Sequence, residues 1–100
     1  MAATVVRQLK ASLPVLFIRE GKIFIAYTPA LDLSASGSTA KAARKNFERT
    51  LRLFFEEVMA AGTLDQVLRE QGWSKQQHGW EPPVEVRKIV FVPLRVPVSG

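Results

Sequence analysis

The sequence contains no cysteine and one histidine, His78. Without thiols there is no disulfide framework, no thiolate nucleophile and no cysteine-based metal centre. Aspartate is almost as scarce, with Asp32 and Asp65 the only two. Metal-dependent nuclease chemistry needs several carboxylates converging on divalent ions, and the supply here is too thin for it. His78 stands in a polar stretch with no adjacent carboxylate, so it lacks the partners that a metal site or a catalytic triad requires. The apolar runs all stop far short of the roughly 20 residues that a bilayer span needs. The opening Met1-Ala-Ala-Thr-Val-Val and Arg7 shows no apolar stretch followed by a small-residue cleavage site. The expectation is a soluble, cytoplasmic protein that needs no cofactor and does not associate with membranes. It is not an enzyme, because nothing supplies a nucleophile with a positioned base.

What is present is enough for one modest core. The 100 residues, 47% of them hydrophobic, amount to a single domain. The core is expected over about 13–98, with 1–12 a flexible segment. The net charge of +5 raises the question of nucleic acid, since clustered Lys and Arg displace counterions from phosphates. The basic residues are spread along the chain and interleaved with Glu, which argues against that use.

Residues 13–19 and 23–27 are runs rich in β-branched and aromatic residues, separated by Glu20-Gly21-Lys22, which is a hairpin signal. Pro29 has no N–H to give and ends the second strand. Leu31, Leu33 and Ala35 alternate with Asp32, Ser34 and Ser36, predicting a third strand up to Gly37 and completing a meander. From Thr39 the period lengthens to 3.6. Ala40, Ala43, Phe47, Leu51, Phe54 and Val58 form one stripe of a long amphipathic helix that runs to about Ala61 and covers the sheet. Thr39 is its natural N-cap and Gly62 its C′ residue. Leu53, Phe55 and Met59 fall outside the stripe, so the second half of the helix needs a further burial partner, in this chain or in a second subunit.

Thr63-Leu-Asp-Gln66 reads as a capping box opening a short second helix that Gly72 closes. Residues 74–83 carry no period and read as a loop. Val90, Val92, Leu94, Val96 and Val98 then alternate with Phe91, Pro93, Arg95 and Pro97, predicting a last strand. Its two prolines place it at a sheet edge or crossing to another chain. The predicted class is α+β, in the order β-β-β-α-(α)-β.

The run Phe24-Ile-Ala-Tyr-Thr-Pro-Ala-Leu-Asp-Leu-Ser-Ala-Ser-Gly37-Ser-Thr39, with Ala43-Arg-Lys-Asn-Phe47 and Leu53-Phe-Phe-Glu-Glu57, resembles the HicB-type antitoxin family. Gly62-Thr-Leu64, Gly72-Trp73 and Trp80-Glu-Pro-Pro83 are similar to a longer branch of that group, so the resemblance spans about Leu13 to Pro83. It implies a partial ribonuclease-H-like domain that neutralises a small mRNA-cleaving toxin of the HicA type by covering its active site, and that assembles as a dimer or larger oligomer. It marks Pro29, Leu31, Asp32, Gly37, Thr39, Gly62, Gly72, Trp73 and Trp80 as pattern residues. Two departures stand out. Ala42 replaces the acidic residue that would complete a capping box with Thr39. The chain also finishes in a predicted strand, where many members carry a DNA-binding module, so operator binding is left open.

Lys41, Lys45, Arg49 and Arg52, with Arg44 nearer the apolar stripe, gather on the outer side of the long helix. They are either a docking surface for an acidic partner or RNA, or a solvated face. Glu48 and Glu56, four residues after Arg44 and Arg52, favour the solvated face. Trp73 and Trp80 either pin the intervening loop to the core or anchor a partner, with pinning favoured. Gly37 is expected to adopt a backbone conformation that other residues resist. The reading is an antitoxin-like homodimer that binds a HicA-like toxin. The alternatives are a stand-alone oligomeric scaffold or regulator, and a nucleic-acid-binding protein using the basic helix face.

Overall fold

In the computed structural model, which describes residues 12–99, the predicted hairpin forms between β1 (Leu16–Glu20) and β2 (Ile23–Thr28). Gly21 has φ 62°, the positive value that a two-residue reversal needs at its first central position. A tight turn at residues 29–32 leads into β3 (Leu33–Gly37), and the three strands make an antiparallel sheet in the order β1-β2-β3. Phe17 lies opposite Ala26, which lies opposite Ala35, so these three share a face. Strict alternation then puts Leu16, Ile18, Ile23, Ile25 and Tyr27 on the other face.

The helix α1 (Ala40–Ala60) starts where expected. The Thr39 side chain accepts a hydrogen bond from the Ala42 N–H at 3.0 Å, satisfying one orphan donor of the first turn. At the other end, Gly62 has φ 69°. Its N–H donates to Met59 O, and the Thr63 N–H donates back to Val58 O, the paired bonds of a Schellman ending. The same device closes α2 (Leu64–Glu70): Gly72 has φ 89°, and the N–H groups of Gly72 and Trp73 donate to Arg69 O and Leu68 O. The apolar contact that accompanies such endings is present too, since Leu68 and Trp73 are buried in one cluster.

Thr63 does not make the predicted capping box. Its backbone is already committed to ending α1, and its hydroxyl donates to Val58 O at 3.4 Å, leaving no side-chain cap on α2. The two threonines therefore separate experimentally. Thr39→Ala is expected to cost about 1 kcal/mol in chemical denaturation and Thr63→Ala only a few tenths.

Two corrections concern the end of the chain. Residues 74–83 are not simply a loop: β4 (Ser74–Gln76) and β5 (Gly79–Glu81) form a second, two-stranded antiparallel sheet. Only Trp80 of that hairpin is buried, so no alternation announced it. The predicted strand at 90–98, in turn, is not formed. Residues 85–99 are exposed and carry no regular structure, because no layer of the described chain covers their apolar side chains. The α+β order holds, with the closing β element moved to 74–81. The expected flexibility of 1–12 falls, apart from Ser12, outside the described residues.

The core has two parts. Ala26, Ala43 and Phe47 are buried between the sheet and the first half of α1, flanked by Val15, Phe24, Leu33, Ala35 and Leu51. Ala30, Leu31, Leu68, Trp73 and Trp80 form the second cluster, against which Phe54, Phe55 and Leu64 pack. The burial partner predicted for Phe55 therefore lies within the chain, in α2 and the small hairpin. Leu53 and Met59 remain exposed.

Candidate functional site

The pattern residues from Pro29 to Thr39, with Thr28 just before them, converge on one turn and one crossing. The Thr28 hydroxyl is buried and accepts from the Ala30 N–H at 3.3 Å, a local turn bond that brings Ala30 and Leu31 inward as Pro29 ends the strand. Asp32 has φ 51°, a left-handed conformation that aspartate tolerates better than bulky residues. Its carboxylate accepts from the Tyr27 hydroxyl at 3.0 Å, closing the turn across the strand end.

That bond holds the Tyr27 phenol above its ordinary pKa of 10.0. Donation to Asp32 is the main cause, followed by desolvation and the repulsion of a phenolate by the carboxylate. The folded value is raised above the unfolded one, so the bond's contribution is complete at neutral pH and is lost as pH rises through the folded pKa. Tyr27 is the only tyrosine, which makes phenolate absorbance a direct readout. The titration midpoint is expected above 10.0 in the native protein, and Asp32→Asn is expected to bring it down.

Gly37 corrects its expectation. It is not among the glycines with positive φ. A Cβ there would lie 2.5 Å from the Ala43 nitrogen and 2.8 Å from the Ala42 Cβ. Gly37 is required by space, because the first turn of α1 crosses directly over the end of β3. Asn46 secures the same crossing, donating from its side-chain amide to Ser36 O at 2.8 Å. Sequence reading passed over Asn46, although a mid-helix asparagine is a weak helix former and calls for a reason.

Trp73 ties the two halves together. Its indole N–H donates to Ala30 O at 2.9 Å, joining the end of α2 to the β2–β3 turn across 43 residues. Trp80 is buried with Arg69 and Lys75 over its ring at 5.9 and 5.7 Å. Lys75 also reaches Asp65 at 2.9 Å, between exposed side chains. Both tryptophans thus pin the closing hairpin, as favoured from sequence. His78 sits exposed in the β4–β5 turn. Among the described residues no cluster of three or more His, Cys, Asp or Glu is placed to hold a metal ion.

Two surfaces remain. Lys41, Arg44, Lys45, Arg49 and Arg52 are all exposed on α1. Arg44 pairs with Glu48 at 3.2 Å, whereas among the described residues the other four make no ion pair, Arg52 with Glu56 included. Neither does this charge pattern serve the helix. The first turn has no acidic residue and the last no basic one, the reverse of what the helix dipole favours by about 0.3–1 kcal/mol per charge. The second surface is the sheet face turned away from α1, where Ile18 and Ile23 are 44% and 51% exposed.

The chain has no match among family models, and none among curated proteins or solved structures. Among the described residues no helix is long and apolar enough to cross a membrane.

Proposed function

We propose that the protein is an antitoxin-like binding domain of the HicB type, which docks a small HicA-type mRNA-cleaving toxin in the cytoplasm and blocks its active site. The observation that carries the reading is the uncovered sheet face. Exposed Ile18 and Ile23, with partly exposed Leu16, Ile25 and Tyr27, make an apolar patch on β1 and β2, bordered by Glu20, Ser34 and Ser36, and α1 packs on the opposite face. Such a surface fits a protein partner better than a phosphate backbone. The HicB-like pattern adds support, because Asp32 closes the turn beside that face while Gly37 and Thr39 set the crossing and the cap of α1 behind it. The protein acts by occlusion, without chemistry of its own, and does so as a homodimer.

Co-expression with the polypeptide encoded beside its gene tests the proposal. The pair is expected to co-purify, and the double variant Ile18→Asp/Ile23→Asp to abolish co-purification while retaining the native circular-dichroism spectrum. Failure of the wild-type pair to associate would reject this function.

The unpaired Lys41, Lys45, Arg49 and Arg52 favour a second reading, in which the outer face of α1 binds nucleic acid. That reading requires RNA or DNA affinity that falls steeply with salt, and a shallower salt slope in the Lys45→Ala/Arg49→Ala variant.

A further inference from the structure

The apolar segment 89–98 is exposed along its whole length, with Phe91 at 95% and Leu94 at 86%. Its sequence gives it two unlike edges. In an extended strand, residues of one parity share a face, and their N–H and C=O groups share an edge. Val90, Val92, Leu94, Val96 and Val98 therefore form one aliphatic face, and all five keep their N–H groups on one edge. Phe91, Pro93, Arg95 and Pro97 hold the opposite edge, where two donors are missing. Such a strand can add to a sheet on one side only.

The same chain carries an edge of the complementary kind. The sheet order is β1-β2-β3, so among the described residues the outer side of β1 pairs with nothing. β1 is apolar on both faces there. Phe17 is 51% exposed on the helix side and Ile18 44% exposed on the other. Phe17 stays open because α1 rests on β2 and β3, not on β1. The segment follows on from a groove that Pro82–Val86 line together with Ser12–Pro14, just ahead of β1, and residues 89–98 pair with no strand of the described chain.

We propose that residues 89–98 form an exchanged arm, in which each of two copies of this chain adds its arm to the outer edge of β1 in the other, with the valine face turned to the helix side. A second copy is the occupant that matches one arm to one β1 edge. The other edge of the sheet, on β3 (Leu-Ser-Ala-Ser-Gly), is short and largely polar, whereas each chain has one arm and one apolar β1 edge, so a two-fold exchange uses both and closes on itself. The proline edge then faces outward and cannot template another strand, which stops growth at two. Size agrees as well. The apolar side chains of one arm, at about 60–120 Å² each by transfer bookkeeping, come to several hundred Å², close to the roughly 800 Å² per partner of a stable interface. This proposal does not depend on the toxin-binding role.

Light scattering after size-exclusion chromatography of the full chain, over a concentration range, tests it. The wild type is expected at the mass of two chains. Leu94→Pro puts a ring on the pairing edge and is expected to raise the dimer dissociation constant about a hundredfold or more, since both arms lose a ladder bond. Arg95→Pro puts the same ring on the edge already blocked and is expected to leave the dimer intact. Leu94→Ala, which removes the side chain but keeps the N–H, falls between them. A wild type that stays monomeric at all concentrations overturns the proposal, whether the arm closes on its own β1 or serves another protein. A dimer that survives Leu94→Pro, or one equally damaged by Arg95→Pro, overturns it too.

Discussion

Trp73→Ala is expected to destabilise the domain by about 3–5 kcal/mol, the range for emptying a buried aromatic site. For a chain of this size that lowers Tm by roughly 15 °C or more. The site explains the magnitude. Trp73 is 4% exposed within the cluster of Ala30, Leu31, Leu68 and Trp80, and its indole N–H carries the bond to Ala30 O. Truncation therefore opens a cavity and also strands a buried carbonyl. Trp73→Phe separates these effects, since it keeps much of the apolar volume and loses the donor. Its cost is expected near 1–3 kcal/mol. Thermal unfolding followed by circular dichroism measures both variants. Equal, small losses would mean that the closing hairpin is not pinned through this residue.

Gly37→Ala is expected to cost about 3 kcal/mol, at the upper end of what overpacking usually costs. The neighbours that a methyl group would meet are backbone and Cβ atoms of α1, which cannot swing aside as a long side chain can. Gly62 is the informative comparison. It has φ 69° and nothing within 4 Å of the position a Cβ would take, so Gly62→Ala bears only the left-handed backbone cost of about 1–2 kcal/mol. Urea denaturation of the pair ranks the two constraints. A larger loss at Gly62 than at Gly37 would contradict the close crossing of β3 by α1.

The elements that sequence reading placed correctly are those whose signal is local and periodic. The β1–β2 hairpin follows from two apolar runs around Gly21, and α1 from a 3.6-residue stripe bounded by Thr39 and Gly62. The misreadings have a common physical origin, because in each the deciding contact is one that neither residue type nor periodicity reports. The β4–β5 hairpin is held by one buried tryptophan, which produces no alternation. Residues 90–98 alternate well enough for a strand, but alternation reports only that a face is apolar and says nothing of where its partner lies. Thr63 has the composition of an N-cap, yet its backbone serves the end of the preceding helix. Gly37 was legible as a necessary glycine, while the reason, space rather than φ, depends on where α1 crosses.

The candidate surfaces divide in the same way. The basic cluster on α1 could be read from spacing, since residues three and four apart share a helix face. Which of its members find a partner could not, and only Arg44 does so among the described residues. The aliphatic sheet face was hidden for a different reason. Ile18, Ile23 and Ile25 look like core residues in sequence, and only the one-sided placement of α1 leaves them uncovered.

This sheet face is proposed to cover the active site of an RNA-cleaving partner. The most direct test of that role is a cleavage assay, with the neighbouring gene's polypeptide acting on mRNA while this protein is titrated in. Cleavage is expected to stop at a stoichiometric ratio with the wild type and to continue with Ile18→Asp/Ile23→Asp. Cleavage undiminished by the wild type, or blocked equally well by the sheet-face variant, would contradict it.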